Sequence, residues 1–281
     1  MGAAGAIERR VERPHGRNRV GLFVTPRASL GPDVAILCHY DRDGAIRTDT
    51  LRYLREVRDA GFSVVIVSNG GTLRSGASVT ELGGVALSRR NLGLDFGAWR
   101  MAMHALGLPR PDTNRILLIN DSVYGPVAPL APLLDRMTAE GADLWGLTES
   151  HERDWHLQSY FLLAHGPLIH SDMWRQFWRG VVPLPFKRWM VGRYEIGLSR
   201  RTVAAGFRAR ALFPYAAIVP DGSIANPTLG AWRALLDAGF PFLKRELLRD
   251  NPTGVTGLDT WQALVSPAYA AEIDADLRRR S

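Results

Sequence analysis

The stretch Val34-Ala35-Ile36-Leu37-Cys38-His39-Tyr40-Asp41-Arg42-Asp43-Gly44 decides how the rest of the chain is read. Its first seven residues carry no carboxylate, ammonium or guanidinium. Mostly aliphatic and too few for a buried helix, they fit a strand covered on both faces. Asp-Arg-Asp-Gly then ends the run with residues that favour turns. Outward from there the pattern repeats. Residues 62–67 form a second apolar run that stops at Ser68-Asn69-Gly70-Gly71, residues 85–87 a third, and residues 116–119 a fourth that runs into Asn120-Asp121-Ser122. Helical spacing fills the gaps. Leu51, Leu54 and Val57 share a face behind the N-cap candidates Thr48 and Asp49, with Gly61 as the stop; Ala98, Met101, Ala102, Ala105 and Leu106 share another ahead of Gly107. Apolar runs alternating with amphipathic helices predict an α/β fold with a mostly parallel sheet and helices on its faces.

The second half keeps to this grammar. Leu130, Leu133, Leu134 and Met137 mark a helix, residues 144–147, 160–163 and 208–213 read as strands, and Trp174, Phe177 and Trp178 lie on a helix. Helical pattern returns from Glu195 to Ala205, and the last third, from Asn226-Pro227-Thr228 onward, reads as a helical appendage. No linker composition intervenes, so residues 20–281 are expected to form one domain. Residues 1–19 hold five arginines and few apolar residues, and read as a flexible basic arm.

Composition narrows the function. With 281 residues, 46% hydrophobic and 22% charged, the chain can bury a core, which excludes a disordered or coiled-coil protein. The longest uncharged stretches are shorter and more polar than a membrane span, and no apolar segment of a secretory leader follows the basic arm. The expected location is therefore cytoplasmic. The single cysteine, Cys38, sits inside the first apolar run, which excludes an intrachain disulfide and a cysteine-based zinc cluster. A net charge of +7 points to an anionic partner, and no nucleic-acid module is recognisable, so phosphates or an anionic membrane surface are the expected partners.

In open α/β sheets ligands bind beyond the carboxyl ends of the strands. Four such ends are polar here: Asp41 and Asp43, Ser68 and Asn69, the loop from Asn91 to Asp95, and Asn120 to Ser122. Two chemistries fit them. Asp41-x-Asp43-Gly44 after a buried strand matches a haloacid-dehalogenase-like phosphatase with Asp41 as nucleophile and Asp43 as acid/base, although no lysine precedes Lys187 to hold the phosphorylated aspartate. A nucleotide-sugar glycosyltransferase of GT-A type would instead use Asp121 as the ligand of a diphosphate-bound Mg²⁺ or Mn²⁺, with Asn120 and Ser122 beside it. Tyr194-Glu195-Ile196-Gly197-Leu198-Ser199-Arg200-Arg201 is similar to the GT-A pattern Glu-Asp-x-x-Leu-Ser-x-Arg, and puts Glu195 at the place of the general base. A third class, a non-catalytic scaffold for polysaccharide assembly, stays open.

Longer strings share one resemblance. Arg90-Asn91-Leu92-Gly93-Leu94-Asp95-Phe96-Gly97-Ala98-Trp99, Leu118-Ile119-Asn120-Asp121-Ser122-Val123-Tyr124-Gly125-Pro126 and Trp145-Gly146-Leu147-Thr148-Glu149-Ser150 come first, followed by His156-Leu157-Gln158-Ser159-Tyr160-Phe161. The residues from Gly239 to Pro252 add a long run of unusual composition. Across about residues 33–252 the chain resembles the rhamnan synthesis F family of bacterial surface-polysaccharide glycosyltransferases.

The resemblance implies a GT-A-like Rossmann-type fold and transfer, with inversion, of L-rhamnose from dTDP-L-rhamnose onto a lipid-linked glycan at the inner face of the cell membrane. It also assigns roles. Ser68, Asn69, Asn91, Gly93, Asp95, Asn120 and Ser122 would bind the nucleotide sugar, Gly93 by letting the backbone come close. His156, Gln158 and Ser159 would line the acceptor side. Lys244, Arg245 and Arg249 would meet the diphosphate or a lipid head group. Trp174, Trp178 and Trp189 around Lys187 and Arg188 suit a membrane interface or ordinary core packing.

Overall fold

The first apolar run forms the middle of the sheet. The computed structural model describes residues 7–10, 21–24, 30–70, 73, 76–184 and 186–280. Its strands are β1 Ile7–Arg10, β2 Gly21–Val24, β3 Asp33–His39, β4 Ser63–Ser68, β5 Val85–Ser88, β6 Arg115–Asn120, β7 Val123–Tyr124, β8 Leu144–Ser150, β9 His156–Leu157, β10 Phe161–His165, β11 Ala209–Phe213 and β12 Leu243–Lys244. β3 pairs in parallel with β4 on one side and β6 on the other, and β4 pairs in parallel with β5. The chain therefore winds outward from β3 to β5, then returns past β3 to lay down β6. That reversal makes the gap between β3 and β6 the switch point of the sheet, where open α/β folds bind ligands.

Strand period and crossover hand explain the layers. Along β3, Val34, Ile36 and Cys38 enter one core while Ala35 and Leu37 enter the other, as a repeat of two requires. A right-handed crossover places its helix on the opposite face once the direction of strand addition reverses. Accordingly the helix Thr48–Asp59 between β3 and β4 buries Tyr53, Leu54 and Val57 in one core, and Leu94–Leu106 between β5 and β6 buries Phe96, Trp99 and Met103 in the other. Beyond β6 the sheet becomes mixed: β10 lies antiparallel between β6 and β8, and β11 is parallel to β8.

Three departures from the sequence reading matter. Ile7–Arg10, within the stretch read as a basic arm, pairs antiparallel with β2 at the sheet edge. The helix expected from Glu195 starts earlier, as Lys187–Met190, passes through a π-turn at Val191–Glu195 and continues as Ile196–Ala204. The C-terminal appendage is more than helical. β12 pairs with β7, and the helices Arg245–Asp250 and Pro267–Arg280 close a third apolar cluster around Tyr124, Trp232, Leu243, Leu247, Trp261 and Ile273. Among the described residues no helix is long and apolar enough to cross a membrane.

Candidate active site at the sheet switch point

Asn120 ends β6 at the switch point, Asp121 follows it, and the site grows outward from the two. The Asn120 amide donates to Asp95 Oδ2 at 2.8 Å and its carbonyl oxygen accepts from Ser122 Oγ at 2.6 Å. The backbone N–H of Asp121 donates to the Cys38 carbonyl, and its carboxylate Oδ2 accepts from Tyr40 N–H at 3.2 Å and Arg47 Nη2 at 3.0 Å. Both bonds use the same carboxylate oxygen.

A buried chain of charge backs this strand end. Arg47 also faces Asp49 at 3.4 Å; Arg245 pairs with Asp49 and, at 2.8 Å, with Asp276, while its Nε donates to the Asp121 carbonyl at 2.7 Å. The four side chains other than Asp121 are each 10% exposed or less. Burial pushes the Asp121 carboxyl up, but His39, Arg47, Arg245 and the Tyr40 N–H outweigh it and leave its pKa below the ordinary carboxylate value. Beside this chain opens a cavity of about 920 Å³, lined by Tyr40, Asp41, Arg47, Asp49, Tyr124 and Asp276 among others.

On the other side of β6 the balance reverses. Asp95, in the first turn of its helix, is raised above the ordinary value by burial, with the Asp121 and Glu195 charges adding to the rise against bonds from Cys38 and Asn120. It does not cap that helix; Gly93 is the N-cap residue. Burial, then Asp95 and Asp121, drive the Cys38 thiol well above its usual range, so Cys38 is a core group and no nucleophile.

Glu195 reaches the same place from the π-turn. Its Oε1 accepts the Ser159 N–H at 2.5 Å, and its charge is felt by Asp95 and by Tyr160. It sits inside a continuous helical stretch, so its alternative reading as an acid that merely favours a helix start falls away. Tyr160 joins the two halves: its hydroxyl meets Thr148 Oγ1 at 2.7 Å, and Lys244 Nζ lies 4.3 Å from its ring centre and 3.1 Å from Ser122 Oγ. Thr148 donates to Gln158, whose amide donates in turn to Asn226 and Thr228.

Asp95, Asn120, Asp121, Ser122, Gln158, Ser159, Glu195 and Lys244 are thus linked around one strand end. Ser68 and Asn69 join this group only through His39 and Cys38, and the remaining candidates lie outside it. Ser68 is fully buried, 3.4 Å from His39 Nδ1, and Asn69 bonds Cys38 Sγ at 3.2 Å. Asn91 is exposed, and the close approach that Gly93 permits is to Pro183, whose Cα would lie 2.7 Å from a Cβ at 93. His156 Nδ1 faces the Asp154 carbonyl at 2.9 Å. The three basic residues near the C-terminus do not act together: Arg245 is committed to Asp49 and Asp276, and Arg249 pairs with Asp250 at the surface. Asp41 Oδ1 accepts the backbone N–H groups of Asp43 and Ala45, which is turn chemistry. Gly70 packs on that turn so closely that a Cβ there would fall 1.9 Å from the Asp41 carbonyl oxygen. Sequence pattern gives no site role to Arg47, Asp49, Thr148, Tyr160 or Asp276; Asp49 stands there only as a helix-start candidate, and Thr148 and Tyr160 only within the resembling strings. Each stands in an ordinary local pattern, and only the fold brings them to the strand end.

Comparison with known proteins now decides the family. Residues 64–269, well over half of the chain, match the family described as Rhamnan synthesis protein F. The chain belongs to that family. As a rhamnan synthesis protein F member it has a glycosyltransferase-like function in polysaccharide biosynthesis. It is 26% identical over 250 residues to the virulence protein VirA of Vibrio anguillarum, covering 79% of this chain and 81% of that one. It is 28% identical over 192 residues to the protein y4gN of Sinorhizobium fredii, covering 66% of this chain and 50% of that one. Among solved structures it is similar to a mannosyltransferase of Pyrobaculum calidifontis in complex with GDP-Man and Mn²⁺, at 12% identity and a TM-score of 0.41, over 90% of this chain and 89% of that one.

Proposed function

We propose that this rhamnan synthesis F protein transfers L-rhamnose from dTDP-L-rhamnose to a lipid-linked glycan with inversion, at the inner face of the cell membrane. The observation that carries the reading is that Asp121 and Glu195 both lie within electrostatic reach of Asp95 at this strand end, one backed by guanidinium groups and the other held by a backbone N–H. Inverting transfer needs that division of labour. Positive charge must meet the leaving diphosphate, and a carboxylate must face the acceptor hydroxyl.

In this mechanism Glu195 takes the proton of the acceptor hydroxyl as its oxygen bonds to the anomeric carbon. The bond from that carbon to the diphosphate oxygen breaks, and the nucleoside diphosphate leaves towards Lys244 and Arg47. The Ser159 N–H orients the Glu195 carboxylate, so its other oxygen is the one to receive the proton. Asn120, fixed between Asp95 and Ser122, holds the strand end rigid beneath the donor.

A divalent metal fits this donor set. Arg47 and Tyr40 both engage Asp121 Oδ2, which leaves Oδ1 to face a cation. A metal here would have Asp121 as its protein ligand and would keep phosphate and water ligands besides. When bound, Mg²⁺ or Mn²⁺ would neutralise the charge developing on the diphosphate.

Thermal stabilisation by a panel of nucleoside diphosphate sugars, with and without Mn²⁺, tests the reading, because a ligand that binds only the folded chain raises the Tm. The expected result is a metal-dependent rise with dTDP-L-rhamnose and little with UDP or GDP sugars. A rise with another sugar nucleotide replaces the donor, and no rise with any of them leaves a scaffold.

A further inference from the structure

Six large apolar side chains are exposed among the described residues: Tyr40, Leu92, Val182, Phe186, Trp189 and Val203. Three of these, Val182, Phe186 and Trp189, fall within eight positions. Leu92 lies next to Gly93, and Gly93 packs directly on Pro183, so the 92 loop joins the same surface. Trp189 is 48% exposed and Phe186 53%, although Trp174, Phe177 and Trp178 just before them are buried. An aromatic pair left outside while its neighbours fill a core marks a contact surface.

The patch is held in place. Tyr194 Oη bonds both the N–H and the carbonyl of Val182, at 2.7 and 2.8 Å, and Arg153 Nη1 donates to the Arg188 carbonyl at 3.0 Å. The Phe186 and Trp189 rings meet edge to face with centres 5.0 Å apart, and the Arg188 guanidinium lies 5.8 Å from each centre. The segment is basic: residues 173–194 hold five basic residues and no acidic one, although Arg175 is paired with Asp172 just before it. Exposed aromatic tips with a guanidinium beside them suit the boundary layer of an anionic bilayer, where rings sit among head groups and guanidinium groups meet phosphates. A second copy fits poorly, because a two-fold contact would bring Arg188 and Arg193 against their own counterparts.

We infer that Phe186 and Trp189, with Val182, Leu92 and the basic residues around them, dock this chain on an anionic phospholipid surface. The placement has a consequence for the active site. Trp189 precedes Glu195 by six residues on one helical stretch, about 9 Å at the usual helical rise, so docking would bring the base close to the plane from which a lipid-borne acceptor projects. That consequence rests on the proposed function; the docking itself does not.

Co-sedimentation of the full chain with vesicles tests the inference, using phosphatidylcholine alone and phosphatidylcholine mixed equally with phosphatidylglycerol. Binding is expected only to the mixed vesicles, and is expected to weaken at least tenfold in the double variant Phe186→Ser, Trp189→Ser and several-fold in Arg188→Glu. Val203→Ser is the control, since Val203 is just as exposed but about 20 Å farther along the helix. Circular dichroism and nucleotide-sugar binding, measured on the same variants, should match the parent; a chain that binds vesicles but no sugar nucleotide would keep this inference and lose the proposed donor. Equal binding to both vesicle types, no binding to either, or full binding by the double variant would overturn it. So would a dimer in solution that the double variant dissolves, which would assign the patch to a second copy.

Discussion

Asp95 and Asp121 flank the same strand end, and their surroundings drive them in opposite directions. Both are taken from water, which by itself disfavours the carboxylate. Asp121 has Arg47 and Arg245 against it and falls below the ordinary pKa; Asp95 has two carboxylates in range and rises above it. Burial alone therefore does not tell which acid at a strand tip carries a fixed negative charge. The cations behind it do. The charges around Asp121 keep it ionised, whereas Asp95 holds Asn120 through the amide it accepts.

The sharpest test of that division concerns the third carboxylate. Glu195→Gln keeps the shape and removes the proposed base, and turnover is expected to fall about 10²–10⁴-fold with donor affinity unchanged. Turnover at the parent rate would show that the acid facing Ser159 is not the base. On the basic side, Arg245→Met leaves Asp49 and Asp276 buried without their shared partner and should cost about 3–5 kcal/mol of unfolding free energy in urea titration. A loss under 1 kcal/mol would mean that Arg47 alone carries the network.

Asp121→Asn comes next, at about 1–3 kcal/mol for the lost charged bond, with weaker donor binding in Mn²⁺. The folded Asp121 pKa is depressed, so its contribution is present above the unfolded value of about 3.9 and is lost as pH falls through the lower folded value. The difference in Tm between parent and variant should accordingly shrink towards low pH; a constant difference would remove the pairing with Arg47 as its cause. Asp95→Asn should give the smallest effect, and one of opposite sign. Its folded pKa is raised, so its contribution is full below the unfolded value and is lost as pH rises through the folded one. The variant should gain up to about 3 °C at neutral pH, a gain that fades in acid. A loss of stability at neutral pH would put the Asn120 bond ahead of the buried charge.

Much of the first half was legible because its signals are local. Residues 34–40 look like a doubly covered strand wherever they stand, Gly61 and Gly107 stop helices by their own backbone freedom, and strand tips declare themselves through Asp, Asn and Ser. The acid at the β6 tip needed nothing more than that rule. What surrounds it did not come from local pattern. Arg245 meets Asp49 from 196 residues away and Asp276 from 31, and neither spacing carries any periodicity to read. The same holds for β12, two residues long, whose only reason to be a strand is β7. Glu195 was legible as a residue but not as a position, since a π-turn inside a helix leaves no mark in a repeat of 3.6.

Gly70 will distort any mutational map of this chain. Its Cα lies where even a methyl group would collide with the Asp41 carbonyl, so a saturation scan scored by activity should reject all nineteen substitutions there as firmly as at Glu195. Gly192 and Gly197, with open space where a side chain would go, should accept alanine. The footprint of intolerance around the strand tips will therefore be wider than the set of groups that touch substrate. Only a score for abundance, read beside the score for turnover, will separate the backbone that shapes the floor of the pocket from the side chains that work in it.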